Sequence, residues 1–215
     1  RTSFRIIDRD GNTVQRREWL SEQSPDAAEK GDFAHYMLKE IHEQPRAVAQ
    51  TLEERVAGGK LLEAAFGPAA QAVFAKTEAV RIVACGTSFH AATVAKYFIE
   101  QICRLPCWVE IASEYRYRNP VVPKNTLFVS VSQSGETADT LAALRLAKGA
   151  GYLSQLAICN VPESSLVRES ELVMLTRAGP EIGVASTKAF TTQLTALSML
   201  VVALAKFHSA EAERE

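Results

Sequence analysis

The sequence has no long apolar run and no excess of charge of one sign. Its longest apolar stretch, residues 194–205, is interrupted by Thr195 and Ser198 and is too short for the roughly 20 residues that cross a bilayer. The net charge is −1 and no basic block stands out, which argues against a general nucleic-acid binder. We therefore expect no membrane and no nucleic acid as a partner.

Cysteine and histidine are scarce, and neither is spaced for a metal site. His35 and His42 lie seven residues apart, which is not the spacing of adjacent ligands, and Cys103 and Cys107 have no zinc-ribbon spacing and no nearby histidine. We predict no metal and no cofactor. The four cysteines are expected to be free thiols in a reducing, cytoplasmic compartment.

The beginning of the chain predicts an appendage. Residues 1–10 are mixed and charged, so no signal peptide is expected, and the first residue is not Met, so we expect a piece of a longer protein. Two short strand-like runs flank Asp10 and Gly11 and predict a β-hairpin. Residues 21–32 are rich in Ser, Pro, Asp and Glu and predict a linker. We predict that residues 1–30 are the tail of an upstream domain.

A helical lead-in is predicted over residues 33–77. Within residues 35–57 apolar side chains recur at three- and four-residue intervals, with charged residues on the other faces. The recurring residues are Met37, Leu38, Ile41, Ala49, Leu52 and Val56. Pro45 is predicted to mark a break or kink where a second helix starts. Residues 61–76 predict more helix, broken at Gly67.

From residue 80 strands and helices alternate. Apolar runs predict five strands, at residues 80–85, 107–111, 126–131, 156–159 and 172–175. Helices are predicted at 89–102, 137–149 and 188–206. Continuous apolar strands that alternate with helices imply an α/β fold, with a parallel sheet covered on both faces in a flavodoxin-like, doubly wound arrangement. The last helix is apolar on most faces, so we expect it beneath another layer, with its outer face covered by a second subunit or a further domain.

Three polar loops follow predicted strands: residues 86–88, 132–137 and 184–187. In parallel sheets ligands bind beyond the carboxyl ends of the strands. In the second loop, sequence SQSGET, we predict Ser134 as the helix N-cap, Gly135 as the first helical residue and Thr137 as the third. Ser132, Ser134, Thr137 and the free helix amides are then placed to surround a phosphate with neutral donors, while Gln133 faces a sugar hydroxyl. The alternative is an ordinary capped helix.

The other two loops leave alternatives open. Thr87 and Ser88 are predicted to cap the helix that follows them, and Cys85 is predicted to be a buried packing residue rather than a nucleophile. Lys188 either pairs with a phosphate or with Glu181, or is a solvated lysine at a helix start. The chain has neither a G-x-G-x-x-G fingerprint nor a G-x-S-x-G elbow at these loops.

The second loop is very similar to the phosphosugar-binding motif of sugar isomerase (SIS) domains. The wider sequence resembles the glutamine–fructose-6-phosphate aminotransferase family, whose members are also called glucosamine-6-phosphate synthases. Segments that carry this resemblance are CGTS at 85–88, VEIASEYRYR at 109–118, AICNVP at 157–162, SLVRES at 165–170 and EIGVASTKAFTTQL at 181–194. Residues around 35–45 resemble the helix that opens the isomerase half of that family.

The resemblance implies an SIS domain over residues 31–215, with a sheet core at 80–206, as the first SIS domain of the isomerase half. Family members carry a glutaminase domain and two SIS domains, and they make glucosamine 6-phosphate from fructose 6-phosphate and glutamine. By motif, the phosphate is held by Ser132, Gln133, Ser134 and Thr137. The sugar is lined by Thr87, Ser88, Val184 and Ser186. The implied partners are these sugar phosphates, the two other domains and a second copy in a homodimer.

The sequence departs from the family by what it lacks. The family's proton-transfer residues and Schiff-base lysine belong to the second SIS domain, so no catalytic residue is expected among these 215 residues. We expect that this part of the protein alone binds sugar phosphate without catalysing the reaction. One alternative is a non-catalytic SIS-domain sensor. A second is a flavodoxin-like nucleotide binder, which is less favoured because the glycine fingerprint is missing.

Overall fold

Five parallel strands form the centre of the protein, which we describe from a computed structural model over residues 5–15 and 29–208. The strands are β1 Ile6–Ile7, β2 Thr13–Val14, β3 Val56–Ala57, β4 Lys60–Leu61, β5 Ala79–Ala84, β6 Cys107–Ile111, β7 Thr126–Ser132, β8 Ser154–Cys159 and β9 Leu172–Leu175. The α-helices are α1 Tyr36–Leu52, α2 Ala70–Phe74, α3 Gly86–Phe98, α4 Ala112–Tyr115, α5 Ala138–Lys148, α6 Ser165–Glu169 and α7 Lys188–His208. A 3₁₀ turn at Glu63–Phe66 precedes α2, and a π-helical turn at Ile99–Cys103 continues α3.

The central sheet has the order β6-β5-β7-β8-β9, with every neighbouring pair parallel. This is the doubly wound order of flavodoxin-like folds, as predicted. Side chains alternate along each strand, so the sheet separates two cores. On one face, Val80 and Ile82 pack with α3 and α7; on the other, Val83 and Phe128 pack with α4, α5 and α6.

The last helix, α7, lies within the first core. It packs against α1, α3 and the sheet. It is the one described helix that is long and apolar enough to cross a membrane, but half of that stretch is buried inside the protein. Burial by neighbouring helices is the environment of a core helix, and here α1 and α3 of the same chain supply it. Val202 on α7 is still half-exposed, so a second subunit or further domain over that face stays a prediction.

The predicted break at Pro45 is wrong, because α1 runs through it as one helix. Proline has no amide to donate to the carbonyl four residues earlier, which here belongs to Ile41. The side-chain amide of Gln44 donates to that carbonyl at 3.1 Å. A neighbouring side chain therefore replaces the hydrogen bond that the proline cannot make.

The apolar stripe that the sequence gives α1 is not its buried face. Met37, Leu38 and Ile41 are each about two-fifths exposed, whereas Glu40 and Thr51 are buried. The predicted end of the helix is wrong too, because Val56 and Ala57 form a small hairpin with Lys60 and Leu61. Two glycines with positive φ, at 58 and 59, make the turn of this hairpin.

The hairpin predicted near the start is confirmed: β1 and β2 pair antiparallel, with Ile6 opposite Val14. The linker prediction falls largely on residues 16–28, outside the described residues. All four cysteines are free, as predicted. Burial raises the pKa of the Cys103 thiol to about 11 and that of Cys107 to about 12, which keeps both thiols protonated.

Candidate functional site

Two of the three polar loops meet at the centre of the sheet. Ala84 at the end of β5 lies beside Val131 in β7, so Cys85 and Ser132 emerge from neighbouring strands. The chain leaves β5 into α3 on one face of the sheet and leaves β7 into α5 on the other. Neighbouring parallel strands whose helices go to opposite faces open a crevice at their carboxyl ends. Loops 85–88 and 132–137 border this crevice.

The hydroxyl groups of the 132–137 loop are organised by the loop's own amides. Ser132 Oγ accepts a hydrogen bond from the amide of Gly135 at 3.0 Å and lies 3.4 Å from Thr137 Oγ1. Ser134 Oγ accepts from the amide of Glu136 at 3.2 Å. Ser132 is buried, whereas Ser134 and Thr137 are half-buried. Because Ser134 Oγ is an acceptor within the loop, its hydroxyl hydrogen remains available to a bound anion.

The predicted N-cap at Ser134 is wrong, because Thr137 is the N-cap and α5 begins at Ala138. Gly135 has a φ of +66°, a left-handed conformation that is incompatible with a first helical residue. Among the described residues no side chain caps α5, so its first amides and the positive end of its dipole face the loop. The structure thus combines free amides with hydroxyls that precede the helix rather than lie within it.

The 132–137 loop packs against the start of α6 and is hydrogen-bonded to it. A Cβ on Gly135 would lie 2.2 Å from Ser164 Oγ and 2.8 Å from Cys159 Sγ, so the backbone approaches too closely for any side chain. The carbonyl of Gly135 accepts from the amide of Leu166 at 3.1 Å. The Glu136 carboxylate accepts from the amide of Ser165 at 2.6 Å, and this hydrogen bond holds the pKa of Glu136 below its usual value.

The 85–88 loop also differs from its predicted capping role. Cys85 occupies the N-cap position and α3 begins at Gly86, so Thr87 and Ser88 lie in the first helical turn instead of capping it. Thr87 is exposed, Ser88 is buried, and the half-buried Cys85 packs against the second core. Both hydroxyls therefore lie in the turn whose amides have no partner within the helix.

The third loop includes the residues just before 184, and over residues 181–187 it already contains an anion. The Glu181 carboxylate accepts from the amides of Thr187 at 2.8 Å and Ala189 at 3.1 Å, and from the hydroxyl of Ser186 at 3.2 Å. A carboxylate at this helix start occupies the position that a phosphate would need. The loop leaves Val184 fully exposed and Ser186 half-exposed, which suits contact with a neutral part of a ligand.

Two alternatives for Lys188, a solvated lysine and a pair with Glu181, are wrong, and a pair with a phosphate stays a prediction. Its side chain is only 4% exposed, and its Nζ lies 2.6 Å from the Glu43 carboxylate on α1. The lysine is therefore neither solvated nor paired with Glu181, and its charge is neutralised by a residue far away in the sequence. Sequence reasoning missed this pair because nothing local links residues 43 and 188.

Asn160 is a further residue that sequence reasoning missed, and it joins the 132–137 loop to the segment after β9. Its amide donates to the carbonyl of Gln133 at 3.2 Å. Its side chain accepts from the amide of Ala178 at 2.7 Å and donates to the carbonyl of Gly179 at 2.8 Å. Its position directly after β8 could have marked it as a candidate site residue in the sequence, because strand ends of a parallel sheet border the ligand crevice. Over residues 5–15 and 29–208 no cluster of His, Cys, Asp or Glu is suited to a metal ion.

Comparisons with known proteins identify the family of the chain. Residues 74–203 match the SIS domain family. The chain is 60% identical over 204 residues, 95% of its length, to glutamine–fructose-6-phosphate aminotransferase (isomerizing) of Pseudomonas putida, and 52% identical over 215 residues to the Escherichia coli enzyme of that name. It covers 33% and 35% of these proteins, so it spans about a third of the curated relatives that it matches.

A solved structure is also similar. The C-terminal domain of glucosamine-fructose-6-phosphate aminotransferase from Francisella tularensis is 55% identical and has a TM-score of 0.82. The similarity covers 84% of this chain and 51% of that one.

Proposed function

The chain belongs to the SIS domain family, and we propose that it is the first SIS domain of a glutamine–fructose-6-phosphate aminotransferase, where it binds fructose 6-phosphate. The observation that carries this proposal is the 132–137 loop, where hydroxyls and free helix amides converge at the centre of the sheet. Identity of 60% to an aminotransferase of that name supports the choice of substrate.

In this proposal the phosphate lies at the start of α5. Ser132, Gln133, Ser134 and Thr137 are the phosphate-binding residues. Charge-assisted hydrogen bonds from neutral donors hold a phosphate without a cation in the loop, and they leave the product free to depart. The filled start of α7 supports this assignment, because Glu181 would repel a phosphate there.

The sugar would extend from the phosphate between the other two loops. Thr87 and Ser88 would meet its hydroxyls from the start of α3, and Val184 and Ser186 would meet it from the 181–187 loop. The exposure of Val184 supports this role, since an apolar side chain with no cover of its own gains by packing against a ligand.

The rest of the enzyme would lie outside this chain. We propose that residues 1–30 are the tail of a glutaminase domain, that residues 31–215 are the first SIS domain, and that a second SIS domain carries the acid–base residues and the Schiff-base lysine. The full-length protein would then make glucosamine 6-phosphate in the cytoplasm. Turnover of fructose 6-phosphate with ammonia by the purified 215-residue chain would contradict the proposal that this part is silent alone.

We also propose that the domain forms a homodimer through the outward face of α1. Met37, Leu38, Ile41 and Leu52 give this helix an exposed apolar stripe. Pairing the stripe with its copy would bury it in a two-fold interface. Analytical ultracentrifugation should find dimers that Leu38→Asp converts to monomers; a wild type that is monomeric at high concentration would contradict the dimer.

Equilibrium binding tests the proposed function itself. Titration calorimetry of the purified chain should detect fructose 6-phosphate and, more weakly, inorganic phosphate, but not free fructose. A non-catalytic sensor would bind the same ligand, so turnover by the full-length protein separates the two functions: a sensor gives none.

A further inference from the structure

The inward face of α1 is polar and follows one segment of the chain, residues 176–191. Thr51 Oγ1 donates to the carbonyl of Thr176 at 2.6 Å, and the side chain of Gln44 accepts from the hydroxyl of Thr191. Lys188, which lies between Thr176 and Thr191 in this segment, pairs with the Glu43 carboxylate at 2.6 Å. Residues 40, 43, 44 and 51 recur at helical spacing, so one face of α1 makes all of the contacts with this segment. The helix therefore holds the segment that contains the 181–187 loop.

Glu40 makes the contact nearest to the exposed part of that loop. It is 2% exposed, and its carboxylate accepts from the amide of Ile182 at 2.5 Å and from the amide of Gly183 at 3.0 and 3.2 Å. These two amides immediately precede Val184. Because both amides have the Glu40 carboxylate as their acceptor, the position of Glu40 determines where this backbone lies.

Gly183 fits the carboxylate from the other side. A Cβ at this position would lie 2.5 Å from Glu40 Oε2 and 3.5 Å from the Cα of Met37. Its φ is not positive, so the requirement for glycine comes from the close approach and not from backbone strain. The loop and α1 are therefore in direct contact, without room for a methyl group between them.

The far end of the loop is fixed as well. Glu181 binds the amides of Thr187 and Ala189, and Lys188 is held by Glu43. Only residues 184–186 lie between the two anchors. A shift of the first anchor must therefore move Val184 and Ser186 relative to the start of α7.

We propose that Glu40 is a positioning residue for ligand binding: it sets the location of Val184 and Ser186, and with it the affinity for the sugar part of the ligand. This inference rests on the proposed function, because it assigns those two residues to the sugar. Glu40 itself does not touch the ligand, and the phosphate loop at 132–137 is independent of it. Loss of Glu40 therefore weakens binding of the sugar phosphate more than binding of inorganic phosphate.

The test compares Glu40→Ala, Glu40→Gln and Gly183→Ala with Glu53→Gln, which removes a carboxylate from the exposed end of the same helix. Calorimetry measures the affinity of each chain for fructose 6-phosphate and for inorganic phosphate. We expect Glu40→Ala and Gly183→Ala to lower the ratio of the two affinities by about tenfold or more, because misplacing a contact by an ångström is costly. Glu40→Gln keeps one oxygen for the amides and should show a smaller change, and Glu53→Gln none.

A double-mutant cycle separates positioning from general destabilisation. In Glu40→Ala/Gly183→Ala the new methyl group no longer meets a carboxylate, so the two effects on the affinity ratio should not add. If Glu40→Ala does not fold, Glu40→Gln and Gly183→Ala still decide the matter. An unchanged ratio in those variants, with lowered melting temperatures alone, would overturn the positioning role and leave the proposed function intact. A wild-type chain that binds inorganic phosphate but not fructose 6-phosphate would overturn the proposed function and this inference with it.

Discussion

The carboxylate of Glu181 lies 2.8 Å from the backbone nitrogen of Thr187, at the start of α7. The same carboxylate also accepts from the amide of Ala189. Of the three strand-end loops that resemble anion sites in the sequence, this one therefore already contains its anion. This leaves the starts of α3 and α5, on neighbouring strands, for a bound ligand.

Glu181→Ala should destabilise the protein, because it leaves the first amides of α7 without their acceptor. We expect a loss of about 0.5–2 kcal/mol in the free energy of unfolding, the usual effect of removing a helix cap. Urea unfolding measures it. Glu53→Ala, at the exposed end of α1, is the control. Equal stability of the two variants would show that Glu181 does not hold the helix start.

Removing the hydroxyls of Ser134 and Thr137 together should abolish most of the affinity for fructose 6-phosphate. Each hydrogen bond to a charged group contributes about 1.5–3 kcal/mol, so each loss lowers affinity at least about tenfold. Calorimetry of Ser134→Ala/Thr137→Ala measures the change, and Ser198→Ala, an exposed hydroxyl on α7, is the matched control. Wild-type affinity in the double variant would mean that the loop has been assigned wrongly.

Gly135→Ala should be strongly destabilising. It places a methyl group 2.2 Å from Ser164 Oγ on a backbone with φ +66°, so strain and overlap act together. We expect a loss of at least about 2 kcal/mol, measured by urea unfolding. Gly149→Ala is the matched control, because its Cβ meets no atom within 4 Å and its φ is negative. That variant should remain within about 1 kcal/mol of wild type. Similar behaviour of the two variants would contradict the close approach at Gly135.

The Glu136 carboxylate should contribute to acid sensitivity. Its pKa is lowered from 4.5, chiefly by the hydrogen bond from the amide of Ser165. A carboxylate with a lowered folded-state pKa stabilises the protein above its unfolded pKa and loses that contribution as the pH falls through the folded one. Glu136→Gln should therefore lower the melting temperature at neutral pH and flatten its fall below pH 4.5. Glu114→Gln, at an exposed position on α4, is the control; identical pH profiles of Glu136→Gln and wild type would contradict this contribution.

The strands of the sheet and their doubly wound arrangement were predicted from the sequence, whereas several parts of the site were not. Apolar runs such as Leu172–Leu175 predicted the strands correctly, because buried parallel strands require them. The 132–137 loop was predicted to be polar at a strand end, but its helix start was misplaced, since Gly135 is left-handed and its carbonyl accepts from the amide of the distant Leu166.

The polar face of α1 shows the same limit more clearly. Hydrophobic periodicity puts Met37 and Ile41 on the apolar face of α1, yet the buried residue between them is Glu40. Its partners, the amides of Ile182 and Gly183, lie more than a hundred residues away in the sequence. A carboxylate that binds backbone amides leaves no pattern in side-chain hydrophobicity, so only the folded structure reveals it.

Thermal-shift titration with fructose 6-phosphate against free fructose tests the central claim most directly, because only a phosphate site separates the two ligands. At a hundredfold excess over its dissociation constant a ligand adds about 2.7 kcal/mol, which corresponds to about 5–10 °C for a chain of this size. We predict a concentration-dependent rise of this order with fructose 6-phosphate and no rise with fructose at equal concentration. Equal shifts with both ligands, or none with either, would contradict a phosphosugar site at the 132–137 loop.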